Sequence, residues 1–224
     1  MGTRTVALIG GTGPQGRGLG YRFARAGHQV VLGSRDAARA QATADELAGR
    51  LPAEARPRGA TNAQAAAPAD LVVLAVPYRG HRELVTGLRT ELAGKVVVSC
   101  VNPLGFDREG PYGLAVPEGS AAEQAATLLP DSAVVGAFHH LSAVNLLGEA
   151  DLLSDEDVLV CGDDVDAKQQ VMELAATITG RLGIDAGRLR MARQLEPFTA
   201  VLISINKRYR AHAGLAVSGL PHAG

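Results

Sequence analysis

The sequence predicts an α/β fold built on a doubly wound parallel sheet, and three observations carry that expectation. Apolar runs of strand length recur at Thr5 to Ile9, Gln29 to Leu32, Asp70 to Pro77, Val96 to Val101 and Ala133 to Phe138. Segments with apolar residues at helical spacing separate these runs, the alternation of βαβ units. The first run leads directly into Gly11-Thr12-Gly13-Pro14-Gln15-Gly16, a G-x-G-x-x-G that opens a helix ending at Gly27.

Strand, glycine turn, helix and second strand together are the layout of a Rossmann-type dinucleotide site. Gly11 is expected to permit the tight turn, Gly13 to let the backbone approach a pyrophosphate, and Gly16 to let the helix pack closely on the strand. Thr12, Pro14 and Gln15 complete the loop, and the helix N-terminus presents unpaired N–H groups to an anion. The end of the second strand selects the dinucleotide. NAD sites place an acid there for the ribose 2′-OH, whereas this chain has the donors Ser34 and Arg35, with Arg39 one helical turn further on. These suit a 2′-phosphate, so NADP is the expected cofactor. Asp36 is read as the N-cap of the next helix.

That helix has Ala40, Ala44, Leu47 and Leu51 on one face, and a polar linker follows its closing prolines. Asp70 to Pro77 is the continuous apolar run of a parallel strand covered on both sides. Leu84, Leu88 and Leu92 mark a helix stopped by Gly94, and the strand from Val96 to Val101 follows. Leu104 to Gly119 is a long Gly- and Pro-rich loop and a candidate binding element. Ser120 and Glu123 form an S-x-x-E capping box before the strand from Ala133 to Phe138. The polar segment from His139 to Ala143 then falls beyond a strand's carboxyl end, where open α/β sheets bind ligands. Its two histidines are read as packing residues rather than an acid–base pair.

Val158 to Cys161 reads as a further strand, and Asp164 or Asp166 caps a helix with Val171, Leu174, Ala175 and Ile178 on its face. Leu195, Phe198, Leu202, Ile205 and Tyr209 step by three and four on a last helix, expected to pack over the nucleotide domain as core. The expected division is a nucleotide-binding domain over 1–144 and a small C-terminal α/β domain over 145–224 covering the cleft.

The 224 residues suffice for one such domain plus a small appendage. Lys and Arg total 22 against 23 Asp and Glu, which argues against nucleic acid or an anionic membrane as partner. No apolar run approaches the roughly eighteen residues of a membrane span, so a cytoplasmic protein is expected. The two cysteines, Cys100 and Cys161, lie in apolar strands without metal-ligand spacing.

Several segments together resemble the coenzyme F-420-dependent NADP oxidoreductases: ALIGGTGPQGRGL near the start, GSR at Gly33 to Arg35, LAVP at Leu74 to Pro77, His139 with Ala143, VCGDD at Val160 to Asp164, and LEPFT at Leu195 to Thr199. The resemblance implies hydride transfer between NADP(H) and coenzyme F-420, an 8-hydroxy-5-deazaflavin, by a homodimer of Rossmann-type subunits. By position it assigns Thr12 to Gln15 to the pyrophosphate and Ser34, Arg35 and Arg39 to the 2′-phosphate. Val76 and Asn102 would lie beside the nicotinamide half, Leu141, Ser142 and Ala143 would line the ring-stacking site, and Leu215 would approach the deazaflavin. The chain departs from the family pattern at Ser142, where the family has Pro, and at Arg39, where it can have Lys. No acid–base side chain and no metal is implied.

Gly10, Gly13 and Gly16 also fit the G-x-x-G-x-x-G of short-chain dehydrogenases, but no tyrosine has a lysine four residues on, which removes that mechanism. An NADP-dependent reductase of another imine or keto substrate and a non-catalytic NADP-sensing module are the alternative readings.

Overall fold

A computed structural model describes residues 2–220. β1 (Thr5–Ile9) feeds through the glycine turn into α1 (Pro14–Arg25), followed by β2 (Gln29–Ser34) and α2 (Ala37–Ala48). β3 (Arg58–Thr61) and α3 (Asn62–Ala66) fill the stretch expected to be a polar linker, and β4 (Leu71–Leu74) follows. Then come α4 (His81–Gly87), α5 (Arg89–Leu92) and β5 (Val96–Ser99). The long loop contains a hairpin of β6 (Leu104–Phe106) and β7 (Pro111–Gly113), followed by α6 (Ala121–Leu128), β8 (Ala133–Gly136) and the single turn α7 (Ala143–Leu146). The chain closes with β9 (Leu159–Gly162), α8 (Val165–Thr179), β10 (Ile184–Asp185) and α9 (Ala192–Tyr209).

The strands form one sheet in the order β10-β9-β8-β5-β4-β1-β2-β3. The six from β3 to β8 are parallel, and β9 adds to the edge antiparallel, through Val135↔Gly162 and Gly136↔Cys161. Chain order reverses between β1 and β4, the switch point where such sheets open a crevice at their carboxyl ends. The segment from residue 145 onward thus lends its strands to the same sheet. The ends of the expected domains, Met1 and residues 221–224, lie outside the described residues.

Side-chain alternation divides the core. Val6, Leu8, Leu71 and Val73 face one way, with Leu19 and Phe23 of α1 and Val171, Leu174 and Ile178 of α8. Ala7, Ile9, Val72 and Leu74 face the other, with Val85, Leu92, Ala121 and Ala125. Burying each Leu or Ile contributes about 1.5 to 3 kcal/mol, which fixes the strand register, because a one-residue slip would exchange the two faces.

The expected caps form: the Asp36 carboxylate accepts from the amides of Ala38 and Arg39, and Asp164 accepts from Ala167. Ser120 accepts from the Glu123 amide, while the Glu123 carboxylate accepts from the Ser120 hydroxyl at 2.9 Å and from Arg193. The stripe on α9 requires correction. Leu202 is buried and Leu195 partly so, but Phe198, Val201, Ile205 and Tyr209 are exposed, the last by 71 %. The period is that of a helix face, but most of that face has no cover among the described residues.

Candidate functional site

The carboxyl ends of β1, β2, β4, β5 and β8 bring most of the expected residues together. At the glycine turn, the positive φ (78°) falls on Gly10 rather than on Gly11. A Cβ at Gly10 would lie 2.6 Å from Val76 Cγ1, so the turn and the end of β4 are in contact. Gly11 is pinned instead, its amide donating to the carbonyls of Leu8 (3.0 Å) and Gly33 (2.9 Å). Gly16 does what was expected of it: a Cβ there would lie 2.7 Å from Gly11 Cα.

The amides of Gly10, Gly11 and Gly13 are all used internally. Those of Thr12, Gln15 and Gly16 make no hydrogen bond among the described residues, and Pro14 has none to offer. Gly13 is the N-cap of α1 and supplies no side-chain cap, and there is no acid in the first turn. The space beside Gly13 is open, with only Gly10 O within reach of a Cβ, at 3.4 Å. These are the free donors and the clearance that a pyrophosphate requires.

At the end of β2, Ser34 is half-buried, and Arg35 and Arg39 are exposed with no ion-pair partner among the described residues. Asp36 is occupied as a cap, so it does not neutralise them through an ion pair. Ser34 pairs in register with Thr61, and Asn62 Oδ1 accepts from the Gly10 amide at 3.4 Å. The β3–α3 junction therefore flanks both the 2′-phosphate corner and the glycine turn, a contribution the sequence reading missed. A signal existed: Thr61 and Gln64 form a T-x-x-Q capping box, and both of its hydrogen bonds are present.

The ring end is built from β8. Phe138 has a positive φ of 63°, and its carbonyl accepts from Gln15 Nε2 at 3.2 Å, tying the glycine loop to the segment that follows. Asn102 Nδ2 donates to the His139 carbonyl and its Oδ1 accepts from His139 Nδ1, both at 3.1 Å, leaving one amide N–H for a ligand. Thr199 Oγ1 donates to the same His139 carbonyl at 3.2 Å, and His140 Nε2 donates to the Leu195 carbonyl at 2.8 Å. Glu196, 1 % exposed, accepts from the Ala121 and Ala122 amides. Burial pushes its carboxyl up to about 7 against the pull of the two amides, and both of its oxygens accept in this arrangement. The LEPFT segment is thus a brace between α6 and the histidine pair.

Leu141 is buried, Ser142 and Ala143 are half-buried, and Ser142 makes no side-chain cap bond at the start of α7. Leu215 is half-buried, its carbonyl accepting from the Asp157 amide at 2.7 Å. Its neighbour His212 is held by Asn145 Nδ2 at 2.7 Å, which puts the tail against the α7 side of the molecule. Cavity size does not locate this site: a concavity of about 640 Å³ lined by Thr3, His28, Arg56 and Arg58 lies at the opposite, amino end of β2 and β3.

His139 is 4 % exposed, and burial followed by the neighbouring His140 pushes its pKa down to about 3. Its free Nε2 points back toward Gly136, 3.3 Å from where a Cβ would stand, and has no partner among the described residues. Burial also lowers the pKa of His140, against the raising effect of its bond to Leu195. Two neutral, enclosed imidazoles are poor proton relays. A true general acid contributes about a hundred- to ten-thousandfold, so His139→Ala and His140→Ala should each cost roughly tenfold or less in single-turnover hydride transfer. A thousandfold loss at either, with fold and nucleotide binding intact, would make it catalytic.

Residues 5–103 match the family model for NADP oxidoreductase, coenzyme F420-dependent. A protein of Methanothermobacter thermautotrophicus named F420-dependent NADP reductase is 40% identical over 224 residues, covering 96% of this chain and 95% of that one. One of the same name from Methanocaldococcus jannaschii is 36% identical, covering 96% and 98%. Among solved structures, a protein of Arthrobacter sp. FB24 provisionally described as an F420 dependent NADP-reductase superposes with a TM-score of 0.79 at 29% identity, covering 93% of this chain and 96% of that one.

Proposed function

The chain belongs to the family of F420-dependent NADP reductases, and from that premise we propose how its residues divide the work of an enzyme that transfers hydride between NADP(H) and coenzyme F-420. One observation carries the assignment of residues: an uncapped α1 N-terminus with open space at Gly13, together with two exposed arginines, one just after β2 and one in the first turn of α2, that have no ion-pair partner among the described residues. The chemistry comes from the coenzymes, a hydride leaving nicotinamide C4 for C5 of the deazaflavin.

Thr12, Gln15 and Gly16 amides hold the pyrophosphate, with Gly11, Gly13 and Pro14 shaping the loop. Ser34, Arg35 and Arg39 hold the 2′-phosphate. Val76 and the remaining N–H of Asn102 orient the nicotinamide half. Leu141, Ser142 and Ala143 form a shelf for the second ring, and Leu215 closes it from the tail. The Ser142 hydroxyl, which makes no cap bond, adds a polar contact there. The work of these residues is to hold two flat rings at about 3 to 3.5 Å and keep water out, with no side chain exchanging a proton. Residues 1–144 thus bind the nucleotide, and those from 145 onward cover the rings. Mixing purified protein with NADPH and oxidised coenzyme F-420 and following the deazaflavin absorbance tests the reading; nucleotide binding without turnover would reduce the protein to an NADP sensor.

A homodimer and a cytoplasmic location belong to the same proposal. The exposed Phe198, Val201, Ile205 and Tyr209 lie along one face of α9, an apolar surface suited to a second copy. Among the described residues no helix is long and apolar enough to cross a membrane. Val201→Asp combined with Ile205→Asp is expected to convert a dimer to a monomer in sedimentation; an unchanged sedimentation coefficient would mean that the contact is elsewhere.

A further inference from the structure

Arg22 is 1 % exposed, yet its guanidinium makes no ion pair among the described residues. Its Nε donates to the Leu146 carbonyl at 2.7 Å. Nη1 donates to the carbonyls of Ala150 (2.6 Å) and Asp151 (2.9 Å), and Nη2 to those of Asn145 (2.8 Å) and Gly148 (3.4 Å). A guanidinium has five N–H donors, and here five main-chain carbonyls from a seven-residue stretch receive them. Two of these carbonyls, of Asn145 and Leu146, belong to α7; that of Asn145 also accepts from the Gly148 amide at 3.0 Å.

Arg22 does not act on this stretch alone. Gln15, Gly18 and Arg22 are spaced three and four apart on α1 and so share one face. Gln15 holds the Phe138 carbonyl, and Gly18 lets Leu146 approach so closely that a Cβ would lie 2.7 Å from Leu146 Cβ. The whole face is given over to the segment 138–151, which carries Leu141, Ser142 and Ala143. The opposite property of the same helix is its free N-terminus beside Gly13.

We propose that α1 is the spacer of the active site: its N-terminus fixes the dinucleotide, and Arg22, as a positioning residue, fixes the ring shelf at a set distance from it. This rests on the reading of Leu141 to Ala143 as that shelf. A rigid helix linking the two anchors converts binding of the pyrophosphate into alignment of the rings, the geometric precision on which a direct transfer depends. Arg22 lies two turns from the nucleotide end of the helix, so its loss acts on alignment rather than on dinucleotide affinity.

The test uses Arg22→Lys, which keeps the charge but has three donors instead of a five-donor fork, and Gly18→Ala, which leaves the arginine in the sequence but pushes Leu146, one of its carbonyl partners, away. Hydrogen exchange of the 143–151 amides in the ligand-free protein is the readout independent of turnover. Both variants are expected to speed that exchange by about tenfold or more and to slow single-turnover hydride transfer at saturating coenzymes by roughly tenfold, with NADPH dissociation constants within about threefold. Unchanged exchange in Arg22→Lys would overturn the proposal outright. Faster exchange with unchanged transfer would overturn it too, and Ala143→Trp then tells why: if this variant, which crowds the shelf directly, also leaves transfer and deazaflavin binding unchanged, the shelf lies elsewhere, whereas if it blocks them, the shelf stands and α1 does not set its position.

Discussion

Replacing Arg35 by alanine is expected to weaken NADPH by roughly ten- to a hundredfold, because losing one charge-assisted hydrogen bond costs about 1.5 to 3 kcal/mol, and to leave NADH nearly unchanged. The structure sharpens this expectation. Arg35 is exposed and engaged in no ion pair among the described residues, so its removal should break nothing that holds the fold, and the melting temperature should stay where it is. Arg39 stands one turn along α2 and should share the phosphate, so the double variant Arg35→Ala, Arg39→Ala should approach equal affinity for the two nucleotides. Titration of both nucleotides by fluorescence or calorimetry checks it. Equal weakening of NADPH and NADH would remove these residues from the 2′-phosphate corner.

Gly16→Ala should produce the opposite pattern, a loss common to both nucleotides. The added methyl would stand 2.7 Å from Gly11 Cα and 2.8 Å from the Gly10 carbonyl oxygen, and neither is the end of a flexible side chain. The start of α1 must therefore move off the turn, carrying the free amides of Gln15 and Gly16 with it. Overpacking of this kind costs about 1 to 3 kcal/mol, which as lost binding is roughly five- to a hundredfold for NADPH and NADH alike. If affinity for both survives within about twofold, the first turn of α1 is not where the pyrophosphate sits.

The contrast between these two variants follows what could be read in the chain. β1, the glycine turn and α1 were legible because each residue's constraint is local: an apolar run, a missing Cβ, a proline at the first helical position. The caps at Asp36, Ser120 and Asp164 were legible for the same reason. Which glycine of the turn takes the positive φ was not legible: it is Gly10, whereas Gly11 is needed because a Cβ there would lie 2.9 Å from the Leu8 carbonyl oxygen and 3.0 Å from Leu32 Cα. β3 was missed because Arg58 to Thr61 is a short, polar edge strand with no fully buried residue, so it lacks the apolar run that marked β1 and β4.

Two other failures have a common origin. The stripe on α9 has the period of a buried face, and hydrophobic periodicity does not say whether the covering surface comes from the same chain or from another. Arg22, between the apolar Tyr21 and Phe23, carries no readable signal, because its five partners are main-chain carbonyls that leave no trace in side-chain identity. The second substrate is not encoded in any local pattern. It came from the combined resemblance of separated segments, and the relatives at 36% and 40% identity carry it.

The histidine pair brings these threads together. His139 and His140 lie at the end of β8 where a catalytic residue would be sought, but Asn102, Thr199 and Leu195 use their polar atoms to hold main chain in place. On the proposed assignment, the free amides and arginines hold phosphates, Leu141 to Ala143 carry a ring, and neither histidine exchanges a proton with the reacting carbon. The function of such a site is alignment, and the hydride should never become a proton on the protein.

The direct measurement of that claim is to reduce coenzyme F-420 with NADPH carrying deuterium at the transferred C4 position, in ordinary water, and to locate the label by mass spectrometry and NMR. The account predicts that the deuterium appears at C5 of the deazaflavin with none released to solvent. Label recovered in the water, with unlabelled product, would contradict it.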